Sequence, residues 1–371
     1  YGGALDVSVS AGVLDGAKRA VAALRDYPHP CWEQKLSRAA AAAVYARRKN
    51  AFAGEDVWPD ADGFVRETMK QAAAYQTDGG AMAYFGRSGA GSPYLSAYTA
   101  DVFDFLQNAG YAVDTAVAEK LADYLTGLFK RTDAAADPAQ TLTARLLSAG
   151  FLKNRGRITD ADIAVFDQSV PSMTAFDRAL YLRLKPRDAA LFDGLMNMSY
   201  QTSGSLIFKE PEETDAALLP SAAKTTCAAL RAVAGTDGET ADKLMRGAYT
   251  LRRKDGTWAN TQADAFCLAA LQAYAAAQPE KINLDVMAAV GGESLLAASF
   301  QSPADPAVPA RRVLGADRAG EHTDLALTAL GDGRYYYSVR LSHPSDMTAG
   351  VNAGFEIGRR VFVERKGAFV P

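Results

Sequence analysis

From about residue 14 to residue 285 the apolar residues of this chain recur at helical spacing, in a stretch dominated by Ala and Leu. Six segments stand out as helices: Trp32 to Arg47, Tyr94 to Asn108, Val117 to Lys130, Gln140 to Leu152, Ser221 to Ala234 and Thr261 to Ala277. Gly, Pro and Asp clusters punctuate them, as at Thr77-Asp-Gly-Gly80, Ala136-Asp-Pro138 and Lys254-Asp-Gly-Thr257. At both ends the period changes. Residues 4 to 10 alternate as a half-buried strand does. After about residue 286, short strands are expected at Leu295 to Phe300, Asp324 to Leu330, Tyr335 to Leu341 and Phe355 to Val363. A β region on each side of a helical block implies a helical domain inserted in a β-sandwich, since the termini of an inserted domain commonly lie close together. A turn, a short extended stretch and an amphipathic helix follow both Asp78-Gly79-Gly80 and Asp255-Gly256-Thr257. Read as a repeat, that echo predicts stacked helical hairpins, as a solenoid or as its closed form, an α/α toroid. Read otherwise, the two are unrelated Asp-Gly turns. The expected class is mainly α, an α/α toroid of helical hairpins within a β-sandwich. The expected boundaries are 1–13 and 286–349 for the sandwich, 14–285 for the helical domain and 350–371 for the beginning of a further β domain.

Composition excludes several classes of function. With 40 Lys+Arg against 43 Asp+Glu the net charge is -3, which gives no electrostatic footprint for nucleic acid or an anionic membrane. No apolar run reaches the roughly 18 residues of a spanning helix. Three Cys in 371 residues do not make a disulfide-stapled framework. The three His, at positions 29, 322 and 343, are too scattered to suggest a metal cluster, and no metal or cofactor is expected. The chain begins at Tyr1 inside a strand-like segment and stops within another, so it reads as a piece excised from a longer protein.

The segment Tyr27-Pro-His-Pro-Cys-Trp-Glu-Gln-Lys-Leu-Ser-Arg38 carries the chemistry. Pro28 and Pro30 enforce an extended approach to a helix that begins just beyond them. Cys31 then lies at a helix N-terminus, where the macrodipole is expected to favour a thiolate. Gln34 is one turn on, on the same face. Attack of the Cys31 sulfur on the Gln34 carboxamide, with loss of ammonia, closes a thioester ring of about fifteen atoms, which ordinary bond lengths permit. A thioester is an activated acyl group: a Lys amine or a Ser hydroxyl on another protein takes the Gln34 acyl and releases Cys31. Water destroys the same bond, so it must be kept dry. Tyr27 and Trp32 flank the pair and are candidates for that cover. On the residues alone, an inert buried Cys31 and a reactive one stand nearly even. Cys227 and Cys267, inside Ala/Leu-rich helices, are expected to be small buried hydrophobes, and His29 a surface or packing residue.

Cys31-Trp-Glu-Gln34, with Ser37-Arg38 after it and Tyr27-Pro28 before it, closely resembles the Cys-x-Glu-Gln thioester motif of the alpha-2-macroglobulin and complement family. The stretches Asp78 to Phe85, Ser92 to Tyr98 and Gly256 to Gln262 are similar to that family's thioester domain, and Gly333 to Leu341 to the β domain following it in bacterial members. The resemblance spans nearly the whole chain. It implies an α/α toroid inserted in a CUB-like β-sandwich, with a final macroglobulin domain beginning near residue 350. It also implies a covalent protease inhibitor, spent after one use: Cys31 and Gln34 form the thioester, Glu33 supports the motif, and Tyr27 matches an aromatic shield. Its partners would be target proteases, captured through lysine amines, and the other macroglobulin domains of the full chain. Its location would be the periplasm, with any membrane anchor outside this stretch. The sequence departs from the family pattern in two ways. Trp32 stands where Gly, Leu or Val is usual, and no His occurs between His29 and His322, which implies the uncatalysed, amine-preferring type.

Two other classes fit parts of the sequence. An α/α-toroid hydrolase needs a pair of carboxylates in a cleft, and Asp78, Asp101, Asp255 and Asp264 are the candidates. A structural or interaction module would carry the motif without forming the bond. No His-Glu-x-x-His, P-loop or Gly-x-Ser-x-Gly motif is present.

Overall fold

The computed structural model describes residues 3–49, 52, 57–130, 138–202, 204–209, 215–278, 281–315, 323–342, 363–365 and 368–370. Strand β1 (Gly3–Ser10) leads through a 3-10 turn into twelve α-helices among the described residues. These are α1 (Lys18–Arg25), α2 (Trp32–Arg47), α3 (Ala61–Lys70), α4 (Pro93–Asn108), α5 (Thr115–Phe129), α6 (Pro138–Asn154), α7 (Asp160–Ala164), α8 (Ala175–Leu184), α9 (Ala189–Met196), α10 (Ala222–Val233), α11 (Gly238–Thr250) and α12 (Thr261–Ala276). A short hairpin, β2 (Tyr200–Thr202) and β3 (Ser205–Ile207), lies between α9 and α10. The chain is about half helical and mainly α. The six helices expected from the sequence form within one or two residues of the expected limits.

Their starts have local causes. Ser92, Asp114, Ser221 and Asn260 each cap a helix by accepting from the backbone N–H three residues on, at Leu95, Val117, Lys224 and Ala263. The two Asp-Gly turns share a device: Gly80 and Gly256 adopt φ of +89° and +88°, the left-handed region that glycine enters without penalty. At Gly80 a Cβ would also stand 2.5 Å from the Lys120 carbonyl oxygen.

Alternate helices are in mutual contact. Helix α2 packs on α4, α4 on α6, α6 on α8, α8 on α10, α10 on α12, and α12 on α2 again. Small side chains let these helices approach closely, as in the run Ala39–Ala43 of α2, which is entirely buried. One hydrophobic core runs through the whole helical part, from Val13 to Tyr274.

After α12 the chain returns to strands. The sheet β5-β4-β7 comprises β4 (Asn283–Val290), β5 (Glu293–Phe300) and β7 (Leu325–Asp332). The sheet β6-β1-β8 comprises β6 (Val308–Leu314), β1 in the centre and β8 (Tyr336–Ser342). All pairings are antiparallel. Val7 and Val9 of β1 share a second core with Leu284, Val286, Leu296 and Phe300, so β1 and the strands that follow α12 meet in one packed unit. Strands β4 and β6 were not anticipated as separate elements. The expected strand at Phe355 to Val363 lies outside the described residues except for Val363, which opens a short pair, β9 (Val363–Arg365) and β10 (Ala368–Val370).

One expectation is corrected. Cys227 and Cys267 are not separate buried thiols: they form a disulfide between α10 and α12, with Cα atoms 4.9 Å apart. The two residues are 40 apart in sequence, and the side-by-side packing of α10 and α12 brings them together.

Candidate functional site

The Tyr27 to Pro30 segment is held at both ends. Arg38 of α2 donates from Nε to the Leu24 carbonyl (2.9 Å) and from its terminal nitrogen to that of Arg25 (2.8 Å), fixing the end of α1 against α2. Pro28 and Pro30 keep the chain extended and lie exposed. Exposed His29 meets half-buried Tyr27 edge to face, with ring centroids 5.5 Å apart.

Cys31 occupies the N-cap of α2 with extended backbone angles. It and Gln34 form a reciprocal capping box: the sulfur faces the Gln34 N–H, and the Cys31 N–H donates to Gln34 Oε1 at 3.3 Å. The arrangement is the one Ser/Thr and Glu/Gln adopt at helix starts, with a thiol in place of the hydroxyl. Cys31 is 7% exposed and Gln34 is half-buried. The thiol does not follow the expected macrodipole effect. Burial pushes its pKa up, against the N–H groups of Gln34 and Glu33, and the Glu33 charge adds to the rise.

Trp32 points inward. It is fully buried, stacks on Tyr75 (centroids 5.0 Å apart) and donates from Nε1 to Thr99 at 3.0 Å. Its backbone N–H donates to the carbonyl of Tyr84 at 2.9 Å. Glu33 is buried too, and what it steadies is tertiary. It accepts from Ser37 (2.8 Å) and from Thr261 at the start of α12 (3.1 and 3.2 Å), and Ser37 also shares a hydrogen bond with Tyr98 of α4 (2.8 Å). The first turn of α2 is thereby tied to α4 and α12. Burial raises the Glu33 pKa, opposed by these hydroxyls and by the Lys224 charge.

Tyr84 is the residue that sequence reasoning missed. Its carbonyl accepts from the Trp32 N–H, which ties its backbone to the first turn of α2, and its pKa is raised by burial and by the charges of Glu33 and Cys31, against a hydrogen bond with Ser92. Ser37 was legible as the i+4 neighbour of Glu33. Tyr84 and Thr261 were not, because nothing in their own segments ties them to residue 31.

The four aspartates weighed as hydrolase carboxylates are all engaged in turns or ion pairs. Asp78 pairs with exposed Arg87. Asp101 is buried between Arg183 (2.7 Å) and Arg231 (3.2 Å). Asp255 closes its own turn on the N–H and hydroxyl of Thr257 (2.9 and 2.7 Å). Asp264 accepts from the Trp258 N–H at 2.6 Å. Burial, with the Asp255 charge, pushes the Asp264 pKa up to about 7. Between its ordinary value of 3.8 and about 7, the folded chain therefore keeps a proton that the unfolded chain has lost. Its contribution to stability is full below that window and declines as pH rises through it. Asp264→Asn retains the acceptor and removes the titration. Its urea-unfolding free energy is expected to fall less between pH 4 and 7 than that of the parent protein; parallel profiles would show that Asp264 does not titrate there.

No protein-family model and no curated protein matches the sequence. Solved structures do match in shape. The Salmonella alpha-2-macroglobulin reacted with methylamine aligns over 93% of this chain and 22% of its own, with a TM-score of 0.63 and 17% identity. Native Escherichia coli alpha-2-macroglobulin, from domain MG7 to the C-terminus, aligns over 92% of this chain and 53% of its own, with a TM-score of 0.63 and 13% identity. The trypsin-activated Escherichia coli protein aligns over 92% of this chain and 23% of its own, with a TM-score of 0.55 and 15% identity. This chain thus spans between a fifth and about half of the chains it matches, and it shares the fold of a portion of the bacterial alpha-2-macroglobulins.

Proposed function

We propose that this chain is the thioester-bearing portion of a bacterial alpha-2-macroglobulin, a single-use inhibitor that captures proteases covalently. The observation that carries the reading is the reciprocal capping box of Cys31 and Gln34 at a buried helix start. It sets the nucleophile and the carboxamide against each other before any bond forms. The Cys31 sulfur attacks Gln34 Cδ, ammonia leaves, and the thioester remains. A lysine amine of the target then attacks the same carbon. The amide forms, the C–S bond breaks, and the proton lost by the amine ends on sulfur, as the raised pKa of this thiol favours. In this reading half-buried Tyr27 and Tyr84, whose carbonyl holds the Trp32 N–H, supply the cover of the bond, and buried Trp32 anchors the first turn of α2.

The closed cycle of helix contacts supports an α/α toroid over residues 14–285. The shared core of the two three-stranded sheets supports a CUB-like sandwich built from residues 1–13 and 286–349. In this reading the target proteases and the other domains of the full chain are its partners, and the residues from about 350 begin the final macroglobulin domain. The periplasm fits the Cys227–Cys267 disulfide, which persists in an oxidising compartment. No helix among the described residues is long and apolar enough to cross a membrane. The hydrolase reading loses ground because all four candidate carboxylates are engaged in turns, caps or ion pairs.

The test is the mass of the full-length protein and of its Cys31–Gln34 peptide, before and after methylamine, with iodoacetamide present throughout. The expected protein is lighter by one ammonia at this peptide. It gains methylamine on Gln34, and only then does Cys31 alkylate. A full-mass peptide whose Cys31 alkylates from the start would overturn the proposal and leave the interaction-module reading.

A further inference from the structure

A second nucleophile and carboxamide meet in the core, where α10 packs on α12. Lys224, in the first turn of α10, is 1% exposed, and Gln262, in the first turn of α12, is wholly buried. Lys224 Nζ lies 3.1 Å from Gln262 Oε1. A carbonyl bond is about 1.2 Å long, so Nζ is within about 4.3 Å of the carboxamide carbon. The Tyr94 hydroxyl, also buried, stands between them: it donates to Gln262 Oε1 at 2.7 Å and lies 2.6 Å from Nζ. The rings of Phe176, Tyr94 and Phe266 surround the amine at 4.6, 5.1 and 5.6 Å. The Leu218 carbonyl is its other close acceptor. Gln262 Nε2 is buried with no hydrogen-bond partner among the described residues. An orphaned buried amide group is expensive, and losing it relieves the deficit.

We propose that Lys224 and Gln262 condense into an intramolecular isopeptide bond that locks α10 to α12. The chemistry needs no external reagent. The Lys224 ammonium gives up one proton to a buried carboxylate, Glu33 or Asp177; burial favours the protonated form of each, and the opposing Lys224 charge vanishes as the proton leaves. The neutral amine attacks Gln262 Cδ. The oxygen of the tetrahedral intermediate is held by the Tyr94 hydroxyl, as an oxyanion hole holds one. The second amine proton moves to Nε2, the C–N bond breaks, and ammonia leaves. The proton held by the carboxylate accompanies it as ammonium, and one secondary amide remains. The site has the elements of amide formation in a dry interior: a caged amine, a polarised carbonyl and a leaving group that nothing retains. The same helix pair already carries the Cys227–Cys267 disulfide, a little beyond Lys224 on α10 and Gln262 on α12, so the isopeptide would complete a two-point lock. The toroid would then keep its shape when the Cys31–Gln34 bond opens.

The inference does not depend on the thioester, and its test keeps the two apart. The intact protein carrying Cys31→Ser cannot lose ammonia at Gln34. After reduction and alkylation of Cys227 and Cys267, its digest is expected to contain a Lys224 peptide joined to the Gln262 peptide, lighter by one ammonia than the two together. Lys224→Arg and Gln262→Leu, each in the Cys31→Ser protein, are expected to lack that species. Recovery of the two peptides only as separate, full-mass species would overturn the proposal. If Cys31→Ser fails to fold, the parent protein treated with methylamine gives the same decision, because methylamine opens a thioester and leaves an amide intact.

Discussion

Replacing Cys31 by serine is expected to abolish methylamine incorporation and covalent protease capture together, with the fold unchanged. Serine is a better N-cap than cysteine, so the hydroxyl keeps the bond to the Gln34 N–H and helix α2 keeps its start. What is lost is the sulfur. An alkoxide is a far poorer leaving group than a thiolate, and an ester at this position would not acylate a lysine amine. Gln34→Glu is the matching variant: the carboxylate still accepts from the Cys31 N–H, but it carries no amide nitrogen to expel. Both variants are expected to unfold in urea within about 0.5 kcal/mol of the parent. Capture is read as a protease–inhibitor adduct that survives denaturing gel electrophoresis. Capture persisting in either variant would show that the covalent chemistry lies elsewhere.

The largest loss of stability is expected from Trp32→Ala, about 3–5 kcal/mol in chemical denaturation. The indole is fully buried, so its removal leaves a cavity beneath the first turn of α2 that the rigid packing of α4 cannot fill. The stack on Tyr75 and the bond to Thr99 go with it. The cavity loosens the first turn of α2, which carries Gln34 next to the Cys31 N-cap, so spontaneous loss of the thioester to water is expected to quicken in the same variant. A loss below about 1 kcal/mol would mean that the indole is not the anchor of this turn.

Cys31 shows where local reasoning is sufficient and where it fails. Its place at a helix start followed from Pro28, Pro30 and the helical period beyond them, and Gln34 followed by counting one turn. Both are short-range consequences of backbone geometry. The protonation of the thiol was misjudged because the macrodipole is a property of the helix, whereas desolvation is a property of everything packed around it. Glu33 makes the same point. Its position in the motif was visible, yet its partner Thr261 stands 228 residues away, and only the contact of α2 with α12 joins them. Trp32 was legible as a flank of the pair and a candidate for its cover, whereas its packing onto Tyr75 and Thr99 is set by the fold.

The helices themselves were legible because period and capping act within a few residues. The β strands at both ends were legible as strands, but β4 and β6 needed their neighbours: a short alternating segment becomes a strand when another offers its hydrogen bonds. The amino-acid order alone determined where helices begin, which residues share a face and that a cysteine and a glutamine stand one turn apart. Tertiary structure decided that Cys227 meets Cys267, that Lys224 meets Gln262, and that Tyr84 is bonded to Trp32 beside the motif. The division has one physical cause. Helix geometry sets distances over a few residues, whereas burial, pairing and charge environment depend on which distant surfaces the collapsed chain presses together.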